Sequence, residues 1–414
     1  MAGGLRARLG ALSEREFRLL FSGTAVSTLG DAVADIALVF AVLEVSDSAA
    51  ALGAVLATRS ALEVAGIVFG GVVSDRLPRN LVLAGACTVQ GIAQAATAAL
   101  VLTGTSSIAA ILVLQGLYGA GSSVVWPAEI GLIPDTVGPP RLQQANALMG
   151  LTRDMTRVLG PAVGGALVVA GSPGVALAAD AASFVVCGAL LVRIRTPRPA
   201  ARPEHSSFFR ELREGWREFT AHSWLWGAVV FFSLAVFAYS AWMVLGPVVA
   251  KEEYGGASAW AAILVAGGAG AVVGGLLAIR LRPQRPLVAS VAWLIPWVGE
   301  MVALAVGAPL WVIVCVSAVG GLGLALHIAL WFTVFQQRVP AETRSRVSSY
   351  EALGSLVLAP VGLAVAGPAA EAFGTDAVLW GSAALGLGSL LAVLLIPSVW
   401  AIRREPAEAA ATAA

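Results

Sequence analysis

The sequence predicts an all-α membrane protein of twelve spanning helices arranged as two pseudo-symmetric six-helix bundles, and three observations lead there. First, the 414 residues are 58% hydrophobic and 12% charged, whereas a soluble domain carries roughly 25% charged residues. Second, twelve apolar runs each reach the ~20 residues needed to cross a bilayer. Third, the arginines fall almost wholly on one side of the resulting topology, as cytoplasmic segments do.

The runs cover residues 17–44, 50–72, 81–103, 107–132, 146–170, 174–194, 224–249, 257–279, 286–306, 309–335, 347–369 and 376–401. Gly, Pro and Arg punctuate them. The 46 glycines suit close helix approach in lipid, where no hydrophobic force drives helices together. The N-terminal stretch with Arg6, Arg8, Arg15 and Arg18 lacks a short apolar core followed by a small-residue cleavage site. The first run is therefore expected to remain as a span.

With the N-terminus inside, the inside segments hold Arg6 to Arg18, Arg76 and Arg79, Arg141, Arg193 to Arg217, Arg280 to Arg285, Arg338 to Arg346, and Arg403 with Arg404. The outside loops hold only Lys251, the sole lysine among 26 basic residues. Both termini are thus expected in the cytoplasm, with the chain multi-pass in the inner (plasma) membrane.

The longest polar stretch separates the two halves. The expected division is a bundle over 1–194, a linker over 195–223, a second bundle over 224–402 and a tail over 403–414. Within the linker, Phe209, Leu212, Trp216 and Phe219 recur at helical spacing among Arg and Glu. That pattern predicts an amphipathic helix on the membrane surface, or else a plain tether. LIPDTVGPPRLQQANAL, leading to Pro161, is echoed by QQRVPAETRSRVSSYEAL, leading to Pro360. Two halves with corresponding kinked helices are what alternating-access carriers use, with a substrate site near the midplane.

Several function classes are excluded. A phosphate-cradling loop needs Gly-Lys-Ser/Thr, and Lys251 stands between Ala250 and Glu252, so direct ATP hydrolysis is out. Cys87, Cys187 and Cys315 lack paired spacing, and His205, His222 and His327 are far apart. That pattern offers no metal site or disulfide framework. Nor does the sequence call for a cofactor or a nucleic-acid partner. A membrane-embedded enzyme would need clustered ligands, or a nucleophile and base at matched depth, and none is visible.

The loop after the second run reads Gly70-Gly71-Val-Val-Ser-Asp75-Arg76-Leu-Pro78-Arg79-Asn80. Gly71 permits close contact, and Arg76 and Arg79 can bind carboxylates and helix carbonyls. This spelling resembles the signature loop of the major facilitator superfamily, G-x-x-x-D-R-x-G-R-R, with Pro78 at the usual Gly and Asn80 at a usual basic position. The resemblance implies a cytoplasmic latch of Gly71, Asp75, Arg76 and Arg79. In the second half, Gly274-Gly275-Leu-Leu-Ala-Ile-Arg280-Leu-Arg282 lacks the acid.

Leu159-Gly160-Pro161-Ala162-Val163-Gly164-Gly165 in the fifth run resembles the antiporter motif core, G-P-x-x-G-G, of exporting branches. Physically, proline removes a backbone hydrogen bond and the glycines clear a groove. Leu29-Gly30-Asp31, Pro127-Ala128, Ile133-Pro134-Asp135, Asn146-Ala147-Leu148, Asp180-Ala181-Ala182-Ser183-Phe184 and Glu214-Gly215-Trp216 are similar to strings of the twelve-helix exporters, which include macrolide pumps and siderophore (enterobactin-type) exporters. The likeness runs over roughly residues 15 to 400. Many proton-coupled members carry Arg three positions before Gln-Gly in the fourth span; here Leu112 precedes Gln115-Gly116.

Charges at membrane depth cost ~2.5–3.5 kcal/mol each on insertion scales and mark function by default. At 1.5 Å per residue, Asp31 lies roughly 21 Å and Asp35 roughly 27 Å above the cytoplasmic start of the first helix. Arg59 and Glu63 lie roughly 24 Å and 18 Å above Asp75. Each pair is four residues apart and shares a face. All four are expected to meet, and three acids on one base leave an acid available to carry a proton; a structural ion-pair brace is the competing reading. Glu129 with Arg153, Asp154 and Arg157 reads as a cytoplasmic gate network. Glu300 and His327 stand nearly alone, the histidine as hydrogen-bonded packing. Tyr239, Trp242, Trp297 and Trp331 are candidates for lining a substrate cavity, or equally for interfacial anchors.

The expected function is export of a hydrophobic or amphipathic small molecule by a monomeric secondary transporter working with protons in the lipid bilayer. The alternative is an importer or facilitator of a polar metabolite, which would want more polar groups at mid-depth. Asp75→Asn should lower transport at least tenfold at equal membrane expression. Wild-type rates in that variant would remove the latch.

Overall fold

A computed structural model describes residues 10–195 and 208–404; within them, nothing is described of the side chains of 67–76, 208–212, 214, 215, 341, 342, 345 and 346. Every regular element is helical among the described residues. The first seven long helices are α1 (Arg15–Ser46), α2 (Ala49–Arg76), α3 (Arg79–Leu102), α4 (Ile108–Ser122), α5 (Val125–Thr136), α6 (Leu142–Ala170) and α7 (Pro173–Leu191). They are followed by α8 (Phe208–Ala221), α9 (Ser223–Glu253), α10 (Ala257–Ala278), α11 (Pro286–Ala305) and α12 (Leu310–Arg338). The last four are α13 (Ala341–Leu356), α14 (Ala359–Phe373), α15 (Thr375–Val393) and α16 (Pro397–Ala401).

Eleven helical stretches among the described residues have the length and apolarity of a membrane span. The twelfth expected span is α6, a continuous 29-residue helix whose middle holds Arg153, Asp154 and Arg157. With α6 the long helical segments number twelve among the described residues.

Three expected runs are not single helices, and proline explains each. The fourth is divided at Ser123 and Val124, because Pro127 cannot donate to the carbonyl of Ser123. At the same break Ser123 Oγ donates to the carbonyl of Ala120 at 2.7 Å. The eleventh is divided at Val357 and Leu358, with Pro360 in the first turn of α14. The twelfth ends at Val393; Pro397 opens α16, and Trp400 Nε1 donates to the carbonyl of Leu394 at 2.6 Å. Pro161, by contrast, lies inside an unbroken α6. The two prolines of the internal echo therefore act differently.

The chain divides into two compact units, Met1–Arg202 with Pro247–Val265 and Pro203–Gly246 with Ala266–Ala414. The turn joining α9 to α10 is thereby assigned to the first unit. Its Lys251 Nζ donates to the carbonyl of Leu43 (2.9 Å) and to Asp47 Oδ1 (2.7 Å). Asp47 ends α1 in the left-handed region, φ 50°, so the cation sits on the negative end of that helix dipole.

In the first unit α1 packs on α6 and α7, α3 on α7, and α2 on α4. Phe17 and Leu20 of α1, Leu83 of α3, Leu132 of α5, Met149 of α6, and Phe184 and Leu191 of α7 share one core. Cys87 and Cys187 are free thiols in it, with Sγ atoms 3.4 Å apart, a proximity their sequence separation conceals. In the second unit α11 packs on α12 and α15, and α8 on α13. The apolar side of α8 is used in that packing: Phe219 is buried, with Tyr350 6.1 Å away, while Trp216 stays half exposed.

The glycines of the α6 motif set its distance from α1. A Cβ on Gly164 would lie 2.8 Å from the carbonyl oxygen of Val33 and 3.2 Å from its Cα. One on Gly160 would collide with Ala32. Backbone cannot yield as a side chain can, so Gly164→Leu must part the helices, at about 1–3 kcal/mol for overpacking. Gly164→Leu should cut the rate of exchange between transport states at least tenfold and change substrate affinity less than threefold. Lost binding with an unchanged exchange rate would assign the motif to the substrate site instead.

Candidate functional site

In the first unit, four helices direct polar side chains to one place. Tyr118 of α4 is buried and donates to Asp31 Oδ1 of α1. Arg59 of α2 lies with Cζ 4.2 Å from the centre of the Tyr118 ring, while its Nη1 is 3.1 Å from Asp35 Oδ1. The Arg59 side chain is 18% exposed and that of Asp35 62%, so the chain of contacts runs from an open carboxylate, Asp35, to a half-buried one, Asp31. Cation–π contact and ion pair together hold the guanidinium.

Asp180 of α7 lies further in and is fully buried. Gln94 Nε2 of α3 donates to its Oδ2 at 2.8 Å, and Ser183 Oγ to its Oδ1 at 3.2 Å. Gln115 Nε2 of α4 in turn donates to Gln94 Oε1 at 3.2 Å. A Cβ on Gly30 would collide with both Asp180 and Ser183, so α7 meets α1 one residue before Asp31. Only glycine permits this approach.

The expected four-residue cluster is therefore rearranged. Asp35 and Arg59 form the ion pair, and Asp31 joins through Tyr118. Glu63 is held separately by Ser122 Oγ at 3.1 Å, so it does not enter the ion pair. Tyr118, Asp180, Gln94 and Gln115 were not picked out as site residues. The Asp180 signal was present, since Asp180 and Ser183 stand three apart in an otherwise apolar run, on one helix face. Tyr118 gave no signal, because an aromatic in an apolar run reads as packing.

The gate network forms in part. Arg153 pairs with buried Glu129 and lies 4.6 Å over the Trp126 ring. Asp154 and Arg157 are exposed and form no ion pair among the described residues. At the expected latch, the side chains of Gly71, Asp75 and Arg76 lie outside the described residues. Arg79 Nη1 donates to the carbonyl of Gly131 (2.9 Å) and to Asp135 Oδ2 (3.1 Å), both on the last turns of α5. Asn80, at the atypical position of that loop, donates to the carbonyl of Ile194 (3.1 Å), just past the end of α7.

The second unit separates the four aromatic candidates. Tyr239 stacks on Trp297 at 4.0 Å and on Trp242 at 5.0 Å, and its hydroxyl donates to buried Glu300 Oε2 at 3.0 Å. These residues do not line the cavity that opens elsewhere in this unit. Trp331 does line it, together with His327 and Glu351; its volume is about 280 Å³. His327 lies between Phe232 and Trp331, centroids 5.3 and 6.3 Å away, with Nδ1 2.7 Å from Ser290 Oγ. Histidine as packing is thus the arrangement observed.

Comparison with known proteins matches the Major Facilitator Superfamily model over residues 20–357. The chain is 28% identical to Enterobactin exporter EntS of Escherichia coli O1:K1 / APEC over 350 residues, 80% of each protein. To EntS of Salmonella typhi it is 28% identical over 316 residues, 72% of this chain and 73% of that one. Among solved structures, the nucleoside transporter NupG superposes with a TM-score of 0.72 at 15% identity, covering 92% of this chain and 98% of NupG. A bacterial homolog of the human lysosomal transporter Spinster, inward-facing and unoccupied, gives 0.65 at 17%, covering 94% and 96%. At these identities the two structures speak for the fold alone. This chain, with its twelve-span helical architecture, belongs to the major facilitator superfamily, a family of membrane transporters.

Proposed function

We propose that this transporter exports a hydrophobic or amphipathic small molecule, of the drug, macrolide or siderophore type, in exchange for protons by alternating access. It works as a monomer in the inner membrane with both termini cytoplasmic. The observation that carries the reading is the contact chain from Asp35 through Arg59 and Tyr118 to Asp31, with Asp180 buried behind it. A carboxylate at this depth is costly when charged and cheap when neutral. Asp31, held by a neutral phenol rather than by the arginine itself, is the acid best placed to gain and lose a proton. Arg59 remains charged throughout, so that a proton leaving Asp31 leaves a carboxylate facing a fixed cation. The likeness to an exporter over most of both chains supports the outward direction.

One proton moved per substrate down a gradient of one pH unit releases about 1.4 kcal/mol, enough for roughly tenfold accumulation. Asp31→Asn should remove that accumulation in reconstituted vesicles and leave downhill exchange intact. Tyr118→Phe should keep accumulation but slow it, because the acid loses its donor and not its proton. Uphill transport by Asp31→Asn at the wild-type rate would make the cluster a brace between α1 and α2.

A further inference from the structure

We propose that the cavity of the second unit binds the apolar body of a lipophilic amine and places its ammonium on Glu351. The cavity is walled by α9, α11, α12, α13 and α15, and it is lined mainly by apolar side chains. At about 280 Å³ it stands near the lower end of small-molecule pockets, roughly 300–1,000 Å³. Such a space suits one ring with a short chain. Phe232, His327 and Trp331 form a continuous stack along one side, which provides flat faces for an aromatic group and for the cation.

Glu351 is the acid in this apolar lining. Trp331 Nε1 donates to its Oε1 at 3.1 Å and Ser355 Oγ to the same oxygen at 3.4 Å. Both donors are neutral, and both are spent on one oxygen. No cationic nitrogen lies within 4.0 Å of the carboxylate among the described residues. A carboxylate offers about four acceptor sites, and a buried charge is retained where something pairs it. Oε2 is thus the free half of a site whose missing part is a cation. His327 does not supply it: its Nδ1 faces Ser290 Oγ, and it forms no ion pair with Glu351 among the described residues. The same geometry disfavours an anionic ligand.

The proposal rests on reading the chain as a carrier of amphipathic molecules. Its test uses equilibrium binding to the full-length, detergent-solubilised protein, with no gradient, so a failure of proton coupling at Asp31 leaves it standing. Calorimetry would compare three probes of one shape: phenylbutylamine, phenylbutanol and phenylbutyrate. Wild-type protein should bind the amine at least tenfold more tightly than the alcohol, and the carboxylate most weakly. Glu351→Gln should bring the amine down to the affinity of the alcohol and leave the alcohol within about threefold. Ala352→Phe, which fills the cavity, should weaken amine and alcohol alike by at least tenfold. Equal binding of amine and alcohol to wild type, a preference that survives Glu351→Gln, or affinities unmoved by Ala352→Phe would each overturn the proposal. The wild-type comparison decides the matter even where a substitution fails to fold.

Discussion

Hydrocarbon offers a buried polar group no water, and in this protein the buried polar groups that find partners on neighbouring helices set the helix arrangement. The hydrogen bond from Tyr118 to Asp31 ties α4 to α1. Arg59 above the same ring and beside Asp35 adds α2. Gln94 and Asp180 add α3 and α7. Hydrogen bonds between membrane helices contribute about 0.6 kcal/mol on average, less than one buried methylene. Their value here is directional. Apolar helix faces slide and rotate against one another at little cost, whereas a phenol and a carboxylate meet in one register.

Close packing supplies what the polar contacts cannot. The Gly160 and Gly164 edge of α6 admits α1 until backbone meets side chain, and Gly30 admits α7 to the same stretch of α1. α1 is therefore held along two faces, with Asp31 beside one of them. Proline acts at other points by withdrawing a donor. The carbonyls of Ser123 and Leu356 lose their helical partners to Pro127 and Pro360, and the fourth and eleventh spans divide there.

The two units treat charge differently. In the first, Asp35, Arg59, Tyr118 and Asp31 form a connected chain, and helix ends are closed by cations and amides: Lys251 on α1, Arg79 on α5, Asn80 past α7. In the second, Glu300 and Glu351 each accept a hydrogen bond from an aromatic donor, Tyr239 and Trp331 respectively. Glu300 sits in a filled stack and Glu351 on an open cavity. The functions proposed for the units follow from that contrast: protons handled where acids are linked, an apolar ligand held where a single acid faces an apolar space.

Span number, helical class and family were legible in the sequence because each depends on local pattern. Twenty apolar residues cannot be solvated, and Asp75-Arg76 with Gly160-Pro161 are contiguous strings. The in-span charges Asp31, Asp35 and Arg59 were legible too, since a charge among apolar residues is conspicuous by itself. Which acid meets which donor was not, because sequence spacing orders residues within a helix and says nothing of how one helix is rotated against another. Thus Glu63, on the same face as Arg59, bonds Ser122, while Tyr118 and Gln94, ordinary residues in apolar runs, became the groups that position Asp31 and Asp180. The four aromatic candidates looked equivalent in the sequence. Only tertiary packing placed Tyr239, Trp242 and Trp297 in a closed stack and Trp331 on a cavity, because an aromatic side chain packs with equal ease against protein, lipid or ligand, and its neighbours decide which.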